Sequence, residues 1–139
     1  MGTTEAPGRG AVESDRSTAN AGRLVGWVVV LGLTKAADVA TTLLGLRVTT
    51  GLVERNPIAA ATMRELGAAP GLVGLGALTV LATVAIVEGS FRLAVPADGS
   101  DGVLDGRTGR DLCYGLAALC NVAFALHNAA LVVETAPLG

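Results

Sequence analysis

A run from Leu24 to Leu46, LVGWVVVLGLTKAADVATTLLGL, is the strongest constraint on how this chain can fold. Roughly 20 apolar residues suffice to cross a bilayer as one helix, and this run is that long. In hydrocarbon every backbone N–H and C=O needs an internal partner, so a helix is the form the run must take. Yet Lys35 stands at its middle, and Asp38, Thr41 and Thr42 follow within two turns. On an insertion scale Lys and Asp near a helix centre each cost about 2.5–3.5 kcal/mol, while each Leu or Val returns about 0.3–0.6. The run's eleven Leu and Val residues therefore bring the sum only near zero. Such a helix inserts marginally alone and calls for neighbours over its polar face.

Spacing says which residues share that face. Lys35 and Asp38 are three apart and can partly neutralise each other, while Asp38 and Thr42 are four apart on one stripe. Gly32, Ala36 and Ala40 form one small-residue row, and Ala37, Thr41 and Gly45 form another, so a second helix can approach closely. Two readings follow. The pair is an internal ion pair that supports packing, or it belongs to a functional site, which is the default for intramembrane charges.

The remainder of the chain fits the same class. Of the 139 residues, 51% are hydrophobic and only 3% aromatic, and the mean hydropathy is +0.58. That exceeds the soluble average and points to one helical membrane domain. Nine of the ten basic residues are Arg, so the only Lys is the one inside the apolar run. The net charge of −2 and the lack of a basic stripe exclude a nucleic-acid reader. Cys113 and Cys120 fall on one expected helix about 10 Å apart along its axis, too far for a disulfide, and they read as packing residues.

Residues 1–22 mix small and charged residues without apolar periodicity and read as a disordered tail, not as a signal peptide. The single membrane domain covers 23–134, with spans expected at 24–46, 71–95 and 112–133, and a short tail at 135–139. Between the first two spans, Asn56-Pro57 opens a short helix over 57–66 that Gly67 closes; Asn is a favoured N-cap, Pro a favoured first residue, Gly a favoured stop. Ten residues cannot span, so this helix either lies at the interface or dips in as a re-entrant half-helix. In the second case its N-terminus offers N–H groups to an anion. Thr79 and Thr83, nearly the only polar residues of the second span, can bond back to their own helix. Glu88 and Arg92, four apart at its end, read as an interfacial ion pair. Residues 96–110, rich in Gly and Asp, form a loop without EF-hand spacing. The third span carries Asn121 and Asn128 two turns apart, within a small-residue stripe from Cys113 to Ala129. His127 stands beside them, as an interfacial packing residue or an extra ligand.

Three spans put the N-terminal tail and the 88–111 loop on one side. Arg9, Arg16, Arg23, Arg92, Arg107 and Arg110 lie there, against Arg47, Arg55 and Arg64 opposite. The excess predicts a cytoplasmic N-terminus and an external C-terminus in the cell membrane. Spans one and three then run in the same direction. Lys35 and Asn121 lie about 17 Å below the outer ends of their helices, Asp38 about 12 Å, and Asn128 about 8 Å. These polar residues thus occupy overlapping depths, and Glu54 and Asn56 belong to the loop on the same side.

The order Asp38-x-x-Thr41-Thr42, then Glu54-x-Asn56-Pro57 within GLVERNP, resembles a family of small prokaryotic integral membrane proteins of unknown function. The resemblance covers roughly residues 24–133. It implies three or four membrane helices and a late Asn, for which Asn121 or Asn128 qualifies. The family pattern has a Lys in the second span; here Lys35 would have to stand in for it. No activity or cofactor comes with the resemblance.

Three functions compete. The first is a polar site for an ion, lipid head group or small solute, built from Asp38, Thr42, Glu54, Asn56, Asn121 and Asn128, with Lys35 as counter-ion. Three spans make a thin wall, so a pathway would need a homo-oligomer. The second is an assembly subunit whose small-residue rows dock on another membrane protein. The third is a membrane-embedded metal enzyme using Asp38, Glu54 and His127, disfavoured because its ligands come from three separate segments without local metal-site spacing. No catalytic residue is assigned on this basis.

Overall fold

A computed structural model of the chain describes residues 9–48, 54, 56–94 and 106–135. The described residues form four helices: α1 (Arg9–Val48), α2 (Pro57–Leu66), α3 (Ala68–Ala94) and α4 (Gly106–Thr135). Three of them, α1, α3 and α4, are long and apolar enough to cross a membrane. The protein is an all-α, multi-pass membrane protein with one additional short helix. Only 6% of the apolar stretch of α1 and of α4, and 22% of that of α3, is buried inside the chain. Most of these apolar side chains therefore face outward from the bundle.

Two helix starts differ from the sequence reading by more than a turn. The disordered tail expected to residue 22 is helical from Arg9 onward. Residues 9–22 contain no Pro, and extending an existing helix needs no new nucleus, so modest propensity suffices. With 40 residues, α1 is about 60 Å long, twice the hydrocarbon thickness of about 30 Å. The third span likewise begins at Gly106 and not after Arg110, because Arg107, Arg110 and Asp111 meet partners on α1 and α3. The expected loop over 96–105 and the tail beyond 135 lie outside the described residues.

The short helix occupies 57–66 as the capping signals predict. Asn56 Oδ1 accepts from the Ile58 and Ala59 N–H groups at 3.0 and 3.4 Å. Gly67, at φ +89°, ends the helix and donates its N–H to Met63 O; such a backbone angle suits Gly. The chain then turns at once into α3, where Pro70 sits in the first turn and forfeits no helical bond. A Cβ at Gly71 would lie 2.9 Å from Thr62 O and 3.1 Å from Met63 Cα. Only the bare backbone lets α2 fold down against α3.

Across the bundle, α1 and α4 run parallel in near-constant register. Trp27 meets Asp111, Thr34 meets Asn121, and Asp38 meets Asn128. Helix α3 is antiparallel to both: its Gly76 faces Lys35 and Val39, while Val87 packs with Leu31 and Tyr114. The core of Leu31, Val87, Tyr114 and Ala118 fills the half near the α1 N-terminus. The other half is hollow.

Candidate functional site: a polar cavity beside Asp38

One turn past Leu31 the apolar packing gives way to polar side chains. Lys35 Nζ donates to Asp38 Oδ2 at 3.0 Å. Both side chains are only 17% exposed, so neither charge rests in open solvent. The other oxygen, Asp38 Oδ1, accepts from Asn128 Nδ2 at 3.1 Å, and the same nitrogen donates to Thr42 Oγ1 at 2.8 Å. A carboxylate can only accept, which fixes which end of the Asn128 amide faces it. Thr42 in turn donates to Asp38 O at 2.9 Å. Asp38, Thr42 and Asn128 form a closed network that ties α1 to α4.

Glycine shapes the neighbouring wall. A Cβ at Gly76 would lie 3.2 Å from Lys35 Cγ and 3.3 Å from Val39 Cγ2. The lysine stem therefore lies directly on the backbone of α3, which steers its ammonium toward Asp38.

A cavity of about 740 Å³ opens above this network, bounded by all four helices and by Glu54. Its polar lining includes Lys35, Asp38, Thr41, Thr42, His127 and Asn128. Glu54 and Asn56 also line it, so the loop after α1 reaches the same volume as Asp38. Opposite these groups stand the apolar side chains of Leu72, Leu75, Phe124, Leu131 and Val132. Asn121 is not part of the lining; it lies deeper and donates to Thr34 Oγ1 at 3.4 Å. Of the two candidate asparagines, Asn128 is the one at the cavity.

The expectation of free N–H groups at the start of α2 is not met. Asn56 caps that end with its own side chain, and Glu54 Oε1 accepts the Asn56 N–H at 2.8 Å. Thr41, Thr79 and Thr83 bond back to their own helices, at Ala37 O, Leu75 O and Thr79 O. His127 is exposed on the cavity wall. Among the described residues, no three His, Cys, Asp or Glu side chains form a group that could hold a metal ion.

A second polar cluster, at the opposite end, was not anticipated. Arg23 pairs with Asp111, and Trp27 Nε1 donates to Asp111 Oδ1 at 2.7 Å. The Trp27 and Tyr114 rings stack at 5.8 Å, and Tyr114 OH donates to Glu88 Oε1 at 3.1 Å. The expected Glu88–Arg92 pair is replaced: Glu88 pairs with Arg110 of α4 at 3.5 Å, while Arg92 is exposed. Arg110 also lies 5.2 Å over the Phe91 ring, a favourable cation–π distance, so Glu88 and Phe91 of α3 together hold the α4 guanidinium. The only sequence signal for this cluster was an Arg and a Trp entering one span, with Asp, Arg and Tyr entering another. Cys113 and Cys120 are free and exposed.

Comparison with family models, with curated proteins and with solved structures finds no match to this chain.

Proposed function

We propose that this membrane protein binds a small charged or polar ligand in the cavity beside Asp38. What carries the reading is one convergence. Residues from α1, from the segment before α2 and from α4 (Asp38, Thr42, Glu54, Asn56 and Asn128) border a single volume of about 740 Å³. That lies within the usual size range of small-molecule sites, and the mix of apolar wall and few polar groups is typical of them. A purely structural ion pair needs no such space. Lys35 serves as the internal counter-ion of Asp38. The arginine distribution puts this cavity toward the external face, with the Arg23–Asp111 cluster at the cytoplasmic end. The motif order shared with the prokaryotic membrane family fits this reading and adds no activity to it.

The test is thermal melting of the purified protein against monovalent and divalent cations, phospholipids and zwitterionic solutes. At least one class should raise the melting temperature, and Asp38→Asn should insert normally but lose that rise. No shift with any class would contradict the proposal.

An assembly role has one observation in its favour. Gly32, Ala36 and Ala40 are exposed and line an apolar groove with Val73 and Ala77 of α3. Crosslinking in native membranes separates the readings: a discrete hetero-complex favours assembly, whereas a homo-oligomer or a lone chain does not.

A further inference from the structure

Resting on the cavity reading above, we propose that the ligand is an organic ammonium attached to an apolar body, with Glu54 as its counter-charge. Charge comes first. Among the described lining residues Lys35 is the one Lys or Arg, and it is spent on Asp38 at 3.0 Å. Among the described acidic and Lys/Arg side chains that line the cavity, Lys35 against Asp38 and Glu54 leaves one negative charge, on Glu54.

The helix end that would otherwise attract an anion is already filled. Asn56 takes the Ile58 and Ala59 N–H groups, and Glu54 takes that of Asn56. An approaching anion would meet a carboxylate there. Hydrogen-bonding capacity points the same way. Asn128 spends its amide nitrogen on Asp38 and Thr42, so its remaining capacity is a carbonyl acceptor. Thr41 and Thr42 have each turned their hydroxyl proton onto their own helix. The cavity therefore offers mostly acceptors, which suits a donor-bearing cation.

The apolar wall decides what kind of cation. A bare metal ion takes several oxygen ligands and gains nothing from hydrocarbon. Leu72, Leu75, Leu131, Val132 and the Phe124 ring instead fit an alkyl body, and an aromatic face also attracts ammonium. The same chemistry comes from two sources, a free amphiphilic amine or the ethanolamine head group of a phospholipid.

The experiment uses full-length protein in a non-ionic detergent, titrated with decylammonium, with decanoate and with decanol. A second arm compares melting in nanodiscs of phosphatidylethanolamine and of phosphatidylglycerol. Saturable stabilisation by the ammonium alone is expected, weakened at least about tenfold in Glu54→Gln. Stabilisation in phosphatidylethanolamine only, also dependent on Glu54, supports the proposal with lipid as the source. Equal or greater stabilisation by decanoate or decanol, or an unchanged response in Glu54→Gln, overturns the ammonium assignment. If that anionic or neutral response still depends on Asp38, the cavity reading survives. No shift in any arm overturns the assignment as well.

Discussion

The two halves of the bundle handle polar side chains in opposite ways. Near Trp27 and Tyr114, opposite charges from three helices meet across stacked rings, and the space between is filled by Leu31, Val87 and Ala118. Near Asp38 the polar groups ring an open volume, and α2 forms one side of it without filling it. The same three long helices make both ends. The difference lies in side-chain size: Trp, Tyr and Phe occupy the interface at one end, while Gly76, Thr42 and Asn128 leave room at the other. A chain with so few aromatic residues has placed three of them, Trp27, Phe91 and Tyr114, in the closed half. That half holds the helices together, and the open half encloses a volume lined by polar groups.

Substitutions should therefore separate stability from binding. The largest loss of stability is expected from Tyr114→Ala, which removes a side chain only 1% exposed. About 3 kcal/mol or more is the range for truncating a large buried aromatic, readable as reduced resistance to denaturation in detergent. Gly71→Ala comes next. Its methyl group would press on the backbone of Thr62 and Met63, and overpacking against atoms that cannot rotate away costs about 1–3 kcal/mol. Tyr114→Phe keeps the stack and loses only the bond to Glu88, so about 1 kcal/mol is expected. The smallest effect belongs to the open half. Asn128→Ala should cost about 0.6 kcal/mol, the average for an interhelical hydrogen bond in membranes, while weakening any Asp38-dependent ligand response. If Asn128→Ala destabilised more than Tyr114→Ala, the division between the halves would fail.

Much of the architecture was readable beforehand. Long apolar runs announced α1, α3 and α4, and Asn56-Pro57 with Gly67 bounded α2 to the residue. Depth counting brought Asp38 level with the third-span asparagines, because a parallel pair of helices converts sequence offset into height. Facing was out of reach: rise per residue cannot say that Asn128, and not Asn121, turns into the cavity. The closed end was missed for a related reason. Arg23, Asp111, Glu88 and Arg110 sit at helix ends where local spacing offered Arg92 as an equally good partner for Glu88. Only the antiparallel approach of α3 to α4 chooses between them. The long helical start of α1 was missed because polar residues without periodicity carry no packing signal, although they can still extend a helix.

Cysteine reactivity tests the contrast most directly. On a Cys113→Ser, Cys120→Ser background, Thr42→Cys would place a thiol on the cavity wall, and Ala118→Cys would place one in the closed core. A small, polar methanethiosulfonate applied to the purified protein in detergent should modify the first and leave the second unreacted. A Thr42→Cys thiol as inert as that of Ala118→Cys would mean that the half around Asp38 is sealed, and would contradict the account.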